Sequence, residues 1–170
     1  LDADGQIVLL DDQNRKLWDR ELIAEGLALV DKAMRHRRPG PYQIQAAIAG
    51  VHSRAPRADE TDWAQIDILY ATLEHIQPSP VITLNRAVAI AKLRGPEAAL
   101  AIVEPLEQQL SGYFYFFGFK GWLLMQLGRD REARTTFDRA IALAGSASEA
   151  AHIRQHIDRL MRERGQVAAG

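Results

Sequence analysis

Displaced by thirty-four residues, the chain falls on itself: Ala87 lies on Gly121, Leu93 on Leu127, Ala99 on Ala133 and Val103 on Phe137. Gly95 falls one place from Gly128. A period of that length is one helical hairpin per repeat, stacked against the next. The residue types fit. Small side chains at 87/121 and 99/133 let two helices approach closely. The larger pair, Val103 and Phe137, fills the gap between neighbouring hairpins. The second copy is the cleaner one, with Gly121, Leu124, Leu127-Gly128, Ala133, Phe137 and Ala140.

The local pattern agrees. Apolar residues recur at three and four, not two. A first helix is expected from Trp18-Asp19, with Leu22, Ile23, Leu27, Val30 and Met34 on its apolar side, ending before Pro39-Gly40-Pro41. A second runs from Tyr42 to Arg54. A third is capped by Thr61 or Asp62 and stops at Gln77-Pro78. Pro80 opens a fourth that reaches Leu93. Gly95 ends it and Pro96 opens a fifth, to Leu110. A sixth spans Tyr113–Leu127, and a seventh, capped by Asp130, reaches Ala144. Ser148 caps an eighth, which closes the stack. An earlier hairpin, Tyr42–Arg54 with Thr61–Ile76, fits the repeat if its connection is lengthened. The expected class is all-α, a tetratricopeptide-like stack of about eight helices in antiparallel pairs.

Composition narrows the job. With 21 basic and 22 acidic residues the net charge is −1, so the chain is not built mainly to neutralise phosphates. The absence of cysteine excludes disulfide scaffolds and cysteine-ligated zinc. No apolar run approaches a membrane span, and the first one, Ile7–Leu10, is too short for a signal peptide. Residues 1–14, with Asp2, Asp4, Asp11 and Asp12, are expected to be an acidic extended segment ending an upstream linker. Residues 15–170 are expected to form the helical domain. The start at Leu1 suggests a piece of a longer chain.

Several stretches are more particular than generic repeats. They are Leu9-Leu10-Asp11-Asp12-Gln13-Asn14-Arg15 with Trp18-Asp19; Ile23-Ala24-Glu25-Gly26; Gly40 to Ala49 (GPYQIQAAIA); Thr61-Asp62-Trp63; and Pro78 to Ala89 (PSPVITLNRAVA). In these the chain resembles the C-terminal tetratricopeptide-like extension of extracytoplasmic-function (ECF) sigma factors, over nearly its whole length. Tyr113–Trp122, YFYFFGFKGW, is more aromatic than that family's pattern. The resemblance implies a bacterial, cytoplasmic transcription-initiation factor whose promoter-reading domains lie upstream. Its implied partners are those domains in cis and the RNA polymerase core. DNA would be touched only through the upstream domains.

No residue is nominated as catalytic, cofactor-binding or metal-binding. His152 and His156, four apart with Glu149 one turn earlier, have a ligand spacing, but the plainer reading is two solvated histidines. Asp2-Ala3-Asp4-Gly5 begins like a calcium loop, and the later ligands do not follow. Arg35-His36-Arg37-Arg38 sits at a helix C-terminus, where cations oppose the dipole. Two clusters remain. Tyr42, Gln45 and His52 share one helix face, and Asn85-Arg86 is a polar pair in an apolar helix. Together they are expected either to bind a partner or to form an internal polar network. The concave side is expected to present Val81, Leu84, Val88 and Ala91 from one helix and Tyr115, Gly118, Trp122 and Met125 from another. That apolar groove calls for a filling partner, inside the protein or upstream.

The expected function is protein–protein contact without bond chemistry, most specifically regulation of a sigma factor in cis. A freestanding peptide-binding adaptor is the alternative, and a ligand sensor using the aromatic cluster is a third class.

Overall fold

A computed structural model describes residues 10, 13–35, 39–145, 150 and 157. Every regular element among the described residues is helical. The α-helices are α1 (Arg20–Met34), α2 (Pro41–Arg54), α3 (Trp63–Ile76), α4 (Pro80–Arg94), α5 (Pro96–Val103), α6 (Phe114–Gln126) and α7 (Asp130–Ala142), with short 3-10 turns at Arg15–Leu17, Ala58–Glu60 and Glu104–Leu106. The chain forms two compact units, which divide between Ile102 and Val103, inside the end of α5.

Local chemistry sets most boundaries. The Asp19 carboxylate accepts from the amides of Glu21 and Leu22, both at 3.0 Å, and so starts α1. Asp62 does the same for α3 through Gln65 N at 2.9 Å. Pro41 and Pro80 occupy first-turn positions of α2 and α4, where no amide hydrogen is required. Gly95 closes α4 at φ +88° and Gly128 follows α6 at φ +77°, a backbone region that favours glycine.

Two expected elements differ. The fifth helix stops at Val103 rather than Leu110. Pro105 lacks the amide hydrogen that would continue the ladder, and its ring crowds the preceding turn, so the backbone tightens into a 3-10 turn over Glu104–Leu106. At α7 the N-cap is Arg129, not Asp130, and its side chain makes no capping bond. It reaches forward instead to Glu132. The expected eighth helix and its Ser148 cap lie outside the described residues, apart from Ala150 and Ile157, both helical. The acidic segment 1–14 also lies largely outside them.

In the first unit α1 packs on α2, α2 on α3 and α3 on α4. Ile44, Ile48 and Val51 of α2, Ile66 and Leu73 of α3, and Ile82 and Ala89 of α4 make its core, flanked by Trp63, Leu69 and Tyr70. In the second unit α6 and α7 form a tight hairpin around Phe116, Phe117, Leu123, Leu124, Ala133, Phe137 and Ala140. Six of the eight residues that coincide under the thirty-four-residue shift are interior: Ala87, Ala99, Val103 and Ala133 are 0 % exposed, Phe137 is 4 %, and Gly121 is buried, whereas Leu93 is 44 % exposed and Leu127 is half-buried. Of the three tryptophans, Trp18 and Trp63 belong to the first unit and Trp122 to the second.

Candidate functional site

The polar chemistry of the first unit is concentrated on α2, α3 and α4 and on the turn that precedes α1. Arg15, in that turn, is 4 % exposed. Its Nη1 donates to the carbonyls of His52 at 3.0 Å, Ala55 at 2.9 Å and Arg57 at 3.2 Å, and Nη2 donates to Thr61 Oγ1 at 3.5 Å. The last carbonyls of a helix have no amide partners and carry its negative dipole end. A planar guanidinium supplies several donors and a full positive charge at that point. Arg15 therefore closes the C-terminus of α2 and fastens the segment before α1 to the α2–α3 connection. The guanidinium carbon also stands 5.1 Å from the centre of the Trp18 ring.

Trp63, first residue of α3, lies between two neighbours. The His52 ring meets it edge-on, with centroids 5.4 Å apart, and Lys92 Nζ lies 5.6 Å from its centre. Three helices thus meet on one indole.

An ionic cluster joins α3 and α4. Arg86 Nε donates to Asp67 Oδ1 at 2.6 Å and Nη1 donates to Glu74 Oε2 at 2.8 Å. Arg94 approaches the other Asp67 oxygen at 3.8 Å. Asp67 is 8 % exposed, so its charge needs these partners. Burial pulls the Arg86 guanidinium down, but its bonds to Asp67 and Glu74 outweigh that effect and hold it above its ordinary value.

The second unit carries its own pairs. Lys120 donates to Glu107 at 2.6 Å. Arg129 makes a two-pronged bond to Glu132, at 2.8 and 2.6 Å, which raises the Arg129 guanidinium and lowers the Glu132 carboxyl. Arg139 lies 4.8 Å above Phe117. On α6, Phe119 and Trp122 stack at 5.8 Å and 13°, and Phe114 and Tyr115 meet at 3.9 Å.

The five residues expected to form one polar cluster are placed differently. Tyr42 is 84 % exposed, and Gln45 and Asn85 are exposed, so none of these three belongs to a buried network. His52 turns to Trp63 and Arg86 to Asp67 and Glu74. Arg86 alone of the five belongs to an ionic cluster, and its partners there are acids of α3. The groove residues also divide. Leu84 and Met125 are 3 % and 2 % exposed and belong to the core, as does Ala91; Val81, Val88, Gly118 and Trp122 are half-buried; Tyr115 is 60 % exposed. The reason is packing geometry. A helix held between neighbours buries more than half its circumference, so positions assigned to an open face turn inward. Arg15, Asp67 and Glu74 were not singled out from the sequence. Their only signal was an ionisable residue beside apolar ones, which many solvated positions share.

Among the described residues no three His, Cys, Asp or Glu side chains are grouped to hold a metal ion. His152, His156 and Glu149 lie outside them. No helix of the described residues is long and apolar enough to cross a membrane.

A family of unknown function, DUF6596, matches residues 1–34. A protein of Rhizobium meliloti (strain 1021), named "Uncharacterized protein R00370", is 66 % identical over 167 residues, which is 98 % of this chain and 40 % of that protein. The chain thus spans about two-fifths of the length of the curated relative it matches. No solved structure matches the chain at a significant level.

Proposed function

We propose that the chain is the C-terminal regulatory, protein-interaction domain of a bacterial ECF-type sigma factor, acting in the cytoplasm without bond chemistry of its own. It would bias transcription initiation by docking on the promoter-reading domains in cis or on the RNA polymerase core. DNA would be reached only through the upstream domains. Such a bias requires different affinity for two states of the partner.

The observation that supports this reading is that most residues of the thirty-four-residue match are buried, and that in the second copy they lie in the packed pair α6 and α7. It is a hairpin architecture whose common use is to present helix faces to other polypeptides. Two further points favour it. The resemblance to the sigma-factor extension covers nearly the whole chain. The relative that matches 98 % of the chain is a much longer protein, as expected if the match is one module of several. Exposed apolar side chains supply contact points: Tyr42 and Ile68 in the first unit, Tyr115 in the second.

The test is association between this chain and the remainder of its full-length protein, expressed separately and followed by calorimetry, together with promoter-dependent transcription by the full-length protein. Binding that weakens in Tyr42→Ala, Ile68→Asp or Tyr115→Ser, with altered transcription, is the expected result. Binding of short acidic-ended peptides, with no association to the remainder, would favour a freestanding adaptor. A ligand-dependent rise in melting temperature without protein binding would favour a sensor.

A further inference from the structure

Helix α1 has more apolar surface than its neighbour covers. Successive residues turn by about 100°, so Leu22, Gly26, Leu29 and Ala33 fall within one arc of roughly 60°. The adjoining arc carries residues that are half-buried, and its Leu27 Cδ2 comes 3.0 Å from where a β-carbon would stand on Gly50 of α2. Of the first arc, Leu22, Gly26 and Leu29 are left outward and Ala33 is half-buried. Leu22 is 65 % and Leu29 61 % exposed, and a β-carbon on Gly26 would meet nothing within 4 Å. No residue of α1 is fully buried.

The outward stripe is self-complementary. Its four positions have the 4-3-4 spacing of a coiled-coil seam, alternating large and small. Turned antiparallel about a two-fold axis between residues 27 and 28, α1 meets a second α1 with matching layers. Leu29 lies over the second copy's Gly26, and Leu22 over the second copy's Ala33. The same operation brings Glu25, beside the seam on the side away from α2, next to the second copy's Lys32, and Lys32 next to its Glu25. Both side chains are exposed and take no ion pair among the described residues. A parallel pairing would place Leu on Leu, Gly on Gly and like charge on like charge.

We propose that α1 is a homodimerisation helix, pairing two copies of this chain antiparallel through Leu22, Gly26, Leu29 and Ala33, with Glu25 and Lys32 setting the register. The interface is isologous, as two-fold symmetry requires. One four-turn helix is a small interface, so the dimer is weak, with a dissociation constant of about 10–500 µM. The inference does not depend on a role in transcription.

The test is sedimentation equilibrium of the whole chain from about 10 µM to about 1 mM, with circular dichroism to verify folding; the altered side chains are surface ones and should leave the fold intact. The expected result is a concentration-dependent dimer. Leu29→Asp should weaken it at least about tenfold, because it sets a charge in each apolar layer beside the axis. Gly26→Leu, which has room in the free chain, should weaken it comparably by removing the seat for Leu29. Lys32→Glu should weaken it several-fold, and Glu25→Lys with Lys32→Glu should restore it. A monomer across the whole range, or a dimer indifferent to Leu29→Asp, would overturn the proposal. Failure of the double charge reversal to restore pairing would overturn the antiparallel register.

Discussion

The Phe137 ring on α7 occupies space that any side chain larger than hydrogen would need at Gly121 on α6: a β-carbon there would lie 2.6 Å from Cε1, 2.7 Å from Cδ1 and 3.1 Å from Cγ. These are two marked positions of the repeat, one small and one large, and their contact sets how near the two helices come. Gly121→Ala gains about 1 kcal/mol of helix propensity but must push back an aromatic ring that is 4 % exposed. Overpacking of this kind costs about 1–3 kcal/mol, and at 2.6 Å the cost should win. The expected outcome in urea unfolding is a net loss of about 1–2 kcal/mol. In a Phe137→Ala background, itself destabilised by about 3–5 kcal/mol, the same glycine change should become neutral or favourable.

Arg15 predicts a loss far from its own place in the chain. Arg15→Met leaves the carbonyls of His52, Ala55 and Arg57 without their cationic donor. A cost of about 2–4 kcal/mol is expected, since bonds to a charged group are strong and buried acceptors must be satisfied. Hydrogen exchange should quicken around residues 52–61 as well as near residue 15. Arg15→Lys should recover little, because an ammonium cannot span the same acceptors. Exchange that quickens only near residue 15 would contradict the fastening role.

Asn85 and Arg86 are neighbours with opposite expected outcomes. Arg86→Met leaves the nearly buried Asp67 carboxylate with only the longer approach of Arg94 and should cost about 2–4 kcal/mol. Asp67→Asn in that background should return part of it by removing the poorly paired charge. Asn85→Ala, on the exposed side of α4, should change stability by less than about 0.5 kcal/mol. Thermal unfolding of the three variants checks all of this.

Glu132 gives a prediction in pH. Its bond from Arg129 holds the carboxyl below its ordinary value in the folded chain. A lowered folded value means that the contribution to stability is present above the unfolded carboxylate value and lost as pH falls through the folded one. An NMR titration should place the Glu132 midpoint below the ordinary carboxylate range. In Arg129→Ala it should move upward. An unchanged midpoint in that variant would mean that Arg129 is not the cause.

Much of the helix plan was legible because its determinants are local. Asp19, Asp62, Pro80 and Gly95 act within one turn of themselves, and each marks a boundary in the folded chain. The period was legible because Ala87, Gly121, Ala99 and Ala133 are all small, and all four are buried. Pro105 is as readable as the others, yet the expected fifth helix ran through it to Leu110, and the missing amide hydrogen prevailed. The site was harder. Three of the partners of Arg15 are backbone carbonyls 37 to 42 residues away, and a carbonyl has no sequence signature. Asn85 and Arg86 differ by one step of the helix, about 100°, enough to send one to water and the other to Asp67. Leu84 and Met125 suggested a groove because outer and inner apolar positions share a composition, and only the packing of neighbours separates them.

The placement of the tryptophans has a spectroscopic consequence. Trp18 stands beside the Arg15 guanidinium, Trp63 between His52 and Lys92, and Trp122 against Phe119, the last in the other compact unit. With Trp18 and Trp63 replaced by Phe, the remaining indole emission comes from the second unit alone; with Trp122 replaced, it comes from the first. Each half of the molecule thereby carries its own native fluorophore, and comparing the two melting curves reveals whether a disturbance in one half is felt by the other.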